Sequence, residues 1–139
     1  MKVHFDMDGV LADLDGSLAA DAGLLVSEIR QDRCLRRTLI DQRRTRLGTE
    51  HYTSLQPLRL AAFRALFVEL ATNDISVHIL TAGDVLKASD ATTAFEGKQA
   101  WARRHYGDLI DDGTICGVYV VATGEEKARL AGGPGGILV

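Results

Sequence analysis

The sequence predicts an α/β fold, a Rossmann-like parallel sheet with helices on both faces and a small helical insertion after the first strand. Two observations carry this. Short apolar runs at 2–6 (KVHFD), 75–81 (ISVHILT), 117–123 (GVYVVAT) and 136–139 (GILV) alternate with stretches of helical periodicity. Strands that alternate with helices at this spacing build parallel sheets rather than hairpins. The second observation is a long segment, 14–57, between the first run and the next periodic stretch. A simple crossover does not need that length.

The elements follow in order. After strand 2–6 comes the loop DMDG. Residues 16–31 place Leu18, Ala22, Leu25 and Ile29 at helical spacing. The basic stretch 32–48 reads as a second helix with Cys34, Leu35, Thr38 and Leu39 on one face. HYTSLQP breaks the pattern, because the residue before Pro57 is driven out of the helical region. From Leu58 to about Ala71, the residues Leu60, Phe63, Leu66, Phe67 and Leu70 form an amphipathic stripe. Asn73-Asp74 is a turn into the second strand. A loop with Gly83 leads to a helix from about Phe95 to His105. LIDDG at 109–113 reads as a solvated loop, EEKARLA at 125–131 as a short helix and AGGPGG at 131–136 as a turn. The expected organisation is a core of 1–13 and 58–139 with a helical cap of 14–57.

Composition excludes several classes. The chain of 139 residues is 46% hydrophobic and 25% charged, which suits one globular domain. A net charge of -3 argues against nucleic-acid binding through phosphate neutralisation. No run approaches the ~18 apolar residues of a membrane span. The N-terminus enters MKVHFDMDG without an apolar leader, and Cys34 and Cys116 suggest neither a metal clip nor a disulfide framework. The expectation is a cytoplasmic protein with two reduced thiols. Oligomeric state is left open.

In parallel sheets ligands gather at the carboxyl ends of the strands. Asp6 and Asp8, Thr81, and the ATGEEK segment all fall on that rim. Two carboxylates two residues apart repel each other unless a cation joins them, and Mg²⁺ takes such oxygens. With a phosphate held beside it, Asp6 could attack phosphorus. Asp8 could give a proton to the leaving oxygen and later take one from water. The hydroxyl and N–H groups of Thr81, Ala82 and Gly83 could hold phosphate oxygens, while a lysine offsets charge in the transition state. A solvated turn is the plain alternative for DMDG.

FDMDGVLAD resembles the first motif of the haloacid dehalogenase superfamily, and HILTAG its second. Together with EGKQAWARRHYG, the pattern is similar to the 5'(3')-deoxyribonucleotidase-like branch, in which a Lys-x-x-Trp helix follows the second motif. The resemblance implies Asp6 as nucleophile, Asp8 as acid/base, both as Mg²⁺ ligands, and Thr81 as a phosphate ligand. Its third motif is a lysine, for which Lys127 fits better than Lys98; Lys98 would then lie near the site mouth or cap its helix. Its fourth is a strand followed by two acidic residues. Asp111-Asp112 have the letters but the wrong setting, and the natural place, after GGILV, lies at the end of the sequence. The sequence therefore reads as cut just before those ligands.

The implied activity is Mg²⁺-dependent hydrolysis of a small phosphomonoester, with a (deoxy)nucleoside 5'-monophosphate leading. A phosphatase of another substrate class and a catalytically silent phosphate-binding protein are the alternatives. Within the cap, Arg33, Arg36, Arg37, Arg43, Arg44 and Arg46 could draw in a phosphorylated substrate. Tyr52 could turn towards a base or sugar, or pack on the next helix.

Overall fold

The computed structural model describes residues 1–83, 88–133 and 135–139. Its elements are β1 (Lys2–Phe5), α1 (Leu14–Ala22), α2 (Val26–Gln31), α3 (Arg33–Leu47), α4 (Glu50–Thr53), α5 (Leu60–Thr72), β2 (Ser76–Ala82), α6 (Ala88–Asp111), β3 (Ile115–Val121), α7 (Gly124–Ala131) and β4 (Gly136–Leu138). All four strands pair in parallel in the order β3-β2-β1-β4. The chain is thus α/β with a parallel sheet. Val3 sits opposite Val77 and Ile137, and Phe5 opposite Ile79. The chain steps outward from β1 to β2 and β3, then returns through α7 to β4 on the other side of β1. The strand order reverses there, and a crevice is expected at the carboxyl end of β1.

Strand alternation sorts the side chains onto two faces. Phe5 points to α5 and α6, with ring centroids 4.8 Å from Phe67 and 6.0 Å from Phe63. Phe67 in turn meets Tyr106 at 5.4 Å. The α5 stripe read from the sequence lies against this core, with Phe67 fully buried and Leu60, Phe63, Leu66 and Leu70 packed around it. Trp101 is also fully buried and donates its indole N–H to the Leu55 carbonyl at 2.8 Å, which fastens α6 to the end of the insertion. On the opposite face His4 stacks on His78 at 5.2 Å, and α7 covers part of it through Leu130.

The insertion leaves and re-enters the core through adjacent chain segments. The Asp13 N–H donates to the Gln56 carbonyl and the Leu58 N–H to the Leu11 carbonyl, at 2.9 and 2.8 Å. Four elements depart from the sequence reading. The helix expected over 16–31 is two, because Gly23 takes φ 66 as a left-handed cap and ends α1. The inward face of α3 is Ile40 and Arg43, while Cys34 and Thr38 are exposed. The helix expected to end at His105 runs on to Asp111 through a bend at Tyr106 (φ -133, ψ 15), absorbing part of the loop read at LIDDG. Finally, β3 begins two residues earlier than expected, at Ile115. Residues 84–87 of the loop after Gly83, and Pro134 of the AGGPGG turn, lie outside the described residues. Among those described, no helix is long and apolar enough to cross a membrane.

Candidate active site

The turn that follows β1 is organised around one carbonyl. The Met7 oxygen accepts the N–H groups of Leu11 and Ala12 at 2.9 and 2.7 Å, and Gly9 adopts φ 81 to let the chain double back. Met7 itself is fully buried. Because it faces inward, its neighbours Asp6 and Asp8 both face the cleft, 24% and 26% exposed.

Each carboxylate meets a lysine from a different helix. Lys127 stands in the first turns of α7 and hydrogen-bonds Asp6. That turn is fixed by reciprocal capping: the Thr123 hydroxyl accepts the Glu126 N–H at 3.3 Å, and the Glu126 carboxylate accepts the Ala122 N–H at 3.0 Å. Lys98, on α6, donates to Asp8 Oδ2 at 2.7 Å, Thr81 Oγ1 at 2.8 Å and the Ala82 carbonyl at 2.6 Å. Its side chain is 1% exposed. Lys98 therefore lies neither at the mouth nor as a helix cap, as the sequence reading had it. Three acceptors, Asp8 in the turn after β1 and Thr81 and Ala82 on β2, compensate its burial, without which a buried ammonium is prohibitive. Both lysines thus reach the carboxylates.

At the end of β2 one group departs from expectation. The Gly83 N–H donates to the Val121 carbonyl at 2.8 Å, so it is not free for a phosphate, while Ala82 and Gly83 both line the cleft. Thr81, 1% exposed, reaches the cleft only through its bond to Lys98. Asp111 and Asp112 sit where α6 returns towards the start of β3, at the opposite end of the sheet, and Asp111 pairs with Arg103 at 2.8 Å. They are not part of this site.

The insertion supplies the other wall of the cleft, about 530 Å³ in volume. Asp15 accepts from Arg36 and Arg30 at 2.8 and 3.0 Å. Burial would raise its carboxyl, but hydrogen bonds from Arg36 and Arg30 outweigh that and hold it below the usual carboxylate value. Behind the wall Arg43 is buried and donates to His51 Nδ1 at 3.1 Å, to the Ser54 hydroxyl at 2.9 Å and to Asp21 at 2.8 Å. Burial, reinforced by Arg43 and Arg44, pushes the His51 imidazole down to about 4. A guanidinium donor against Nδ1 requires the neutral ring. Tyr52 is 2% exposed, packed between His51 and the α6 backbone, with the Lys98 ammonium 5.6 Å from its ring centre. It packs on α6 rather than on the helix that follows the insertion, and leaves no open ring face for a base.

Asp15, Arg30 and His51 are cleft residues that the sequence reading did not single out. One signal for the wall was present: Arg33, Arg37, Ile40 and Arg44 recur at the spacing of a single helix face, and all four line the cleft.

The carboxylates have one further feature. Asp8 Oδ1 is buried without a hydrogen-bond partner among the described residues. An oxygen left so is available to a leaving group, and the Asp6 carboxylate in the same cleft suits Mg²⁺, which takes one or two carboxylates and completes its shell with other oxygens, water and substrate phosphate. Among the described residues, no three His, Cys, Asp or Glu side chains are grouped to hold a metal.

No protein-family model matches the sequence, and no curated protein matches it closely enough to count as a relative.

Proposed function

We propose that the protein is a Mg²⁺-dependent phosphatase that hydrolyses a small phosphomonoester through an aspartyl-phosphate on Asp6. The observation that carries this reading is the pairing of two strand-end carboxylates with two lysines, on α6 and α7, in one cleft. Mg²⁺ held by an Asp6 carboxylate oxygen and the main-chain carbonyl of Asp8 would neutralise phosphate charge and draw the dianion to the site, leaving the Asp8 side chain for proton transfer. An Asp6 oxygen attacks phosphorus as the bond to the leaving oxygen breaks, and Asp8 in its acid form gives that oxygen its proton. Asp8, now a carboxylate, takes a proton from water while the water oxygen attacks the acyl phosphate. Inorganic phosphate leaves and both aspartates return to their starting state. Lys127 lies close enough to Asp6 to stabilise charge that builds on the transferred phosphoryl group. Lys98 holds Asp8 and Thr81 in register.

Nucleoside 5'-monophosphates, which the family resemblance implies, are the first substrates to assay. We place the activity in the cytoplasm, where exposed free thiols such as Cys34 and Cys116 persist. Hydrolysis of p-nitrophenyl phosphate with Mg²⁺ tests the reaction class. The expected result is turnover that Asp6→Asn abolishes; equal rates in the two proteins would remove Asp6 as nucleophile. Nucleotide binding without any turnover would instead favour a silent phosphate-binding protein.

A further inference from the structure

The insertion presents to the cleft an uncharged group that the reaction above does not use. His51, on α4, is 2% exposed and lines the cleft. Its ring is clamped from behind. Arg43 donates to Nδ1 at 3.1 Å and to the His51 main-chain carbonyl at 2.5 Å. Arg43 is itself fixed by Asp21 at 2.8 Å and the Ser54 hydroxyl at 2.9 Å. The Tyr52 ring meets the imidazole edge-on, with centroids 4.6 Å apart. Position and plane of the ring are therefore set before any ligand arrives.

The clamp also fixes the proton. A guanidinium only donates, so the Nδ1 atom facing it must hold a lone pair. A neutral imidazole carries a single N–H, which is thereby left on Nε2. Burial and the neighbouring arginines, which push the ring down to about 4, keep it in this state at neutral pH. Nε2 has no hydrogen-bond partner among the described residues, and it is not one of the polar atoms enclosed there. It is a fixed donor left without an acceptor.

The neighbours of the ring indicate which acceptor it meets. His51 feels the charges of Asp8 and Lys98. Asp8 is the group that protonates the leaving oxygen, so His51 belongs to the leaving-group side of the cleft. The Lys98 ammonium spends its N–H groups on Asp8, Thr81 and the Ala82 carbonyl, and offers that side nothing further. Phosphate oxygens favour the charged donors of the cleft, Lys127 and the arginines, whereas a single neutral N–H suits an uncharged oxygen.

We infer that the His51 Nε2–H donates to an uncharged oxygen of the leaving group. The preferred substrate is then the phosphate of a polyol or sugar rather than of a plain alkyl alcohol. Arg43 is the positioning residue that fixes the tautomer. Assignment of the acceptor to the leaving group rests on the phosphatase reading above, whereas the free donor in the cleft does not.

Equilibrium binding to Asp6→Asn in the presence of Mg²⁺ reads this without turnover. The matched probes are glycerol 1-phosphate against propyl phosphate, and ribose 5-phosphate against pentyl phosphate. In at least one pair the hydroxylated member should bind about tenfold tighter, the scale of one hydrogen bond. Adding His51→Asn, whose amide oxygen can still face Arg43 but whose side chain stops short of the Nε2 position, should collapse that ratio. Adding His51→Gln, which carries an N–H out to that position, should keep most of it. Equal affinities in both pairs overturn the inference, as does a preference that survives His51→Asn or a failure to bind any of the four probes. A loss shared equally by both members of each pair, or as large in His51→Gln as in His51→Asn, marks the ring as structural and overturns it too. Nitrogen-15 spectra of the histidine rings give a separate check: a His51 ring protonated on Nδ1 at neutral pH would exclude the donor. Failure of the phosphatase reading shows elsewhere, as absence of Asp6-dependent hydrolysis of p-nitrophenyl phosphate by the unmodified chain.

Discussion

Lys98→Met removes one ammonium and keeps most of the side-chain volume. The structure fixes what is lost: the partner of the Asp8 carboxylate at 2.7 Å, and the donor to Thr81 Oγ1 and the Ala82 carbonyl. Removing one member of a fully buried ion pair costs about 3–5 kcal/mol, because the other charge stays behind unpaired. Asp8 is 26% exposed, so water reaches part of that carboxylate and reduces the cost to about 2–4 kcal/mol. For a chain of this size each kcal/mol moves the thermal midpoint by about 3–5 °C, giving a fall of roughly 6–20 °C. Circular dichroism melts and urea titrations in EDTA would read it. Adding Asp8→Asn to Lys98→Met should restore part of the loss, since the stranded charge is then removed. A Lys98→Met protein within about 0.5 kcal/mol of the parent would show that Lys98 is not buried against these acceptors.

Three other expectations concern His51, Gly97 and Thr123. His51 has its folded value pushed from 6.5 to about 4, so the unfolded chain binds more protons between those limits. Its contribution is complete above 6.5 and is lost as pH falls towards 4, amounting to about 3 kcal/mol; His51→Gln should flatten that part of a stability–pH curve. Gly97→Ala sets a methyl 2.7 Å from Tyr52 Cδ2 and 3.1 Å from the Thr49 carbonyl, so α6 must shift from α4. Overpacking of this kind costs about 1–3 kcal/mol by urea denaturation and should lower turnover as well, since Lys98 is the next residue. Thr123→Ala removes the α7 cap, at about 1 kcal/mol, and by loosening the turn that carries Lys127 should reduce kcat more than it raises KM.

Much of the frame was legible in the sequence because it is set locally. The β1 and β2 runs hold Val3, Phe5, Val77, Ile79 and Leu80 and are buried along almost their whole length, as strands covered on both faces are, and the α5 stripe has the period of its helix. The DMDG turn was legible as a charge problem at a strand end. What escaped depends on partners distant in the chain. A lysine in a helix reads as a surface residue, and it is Asp8, ninety positions away, with Thr81 and the Ala82 carbonyl, that makes the burial of Lys98 tolerable. Asp15 reads as one more acidic residue until Arg30 and Arg36 fold back onto it from beyond the break at Gly23. That break was itself hidden, since helical spacing continues across the glycine and only its φ of 66 ends α1. Gly97 is similar: its lack of a side chain gains meaning only once Tyr52 lies against it.

Acid-quenched turnover of a radiolabelled phosphomonoester, followed by peptide mapping, tests the nucleophile assignment most directly. Label should appear, in the presence of Mg²⁺, on the peptide that contains Asp6, and Asp6→Asn should abolish it. Turnover that leaves no label on that peptide, or label that persists in Asp6→Asn, would contradict the assignment.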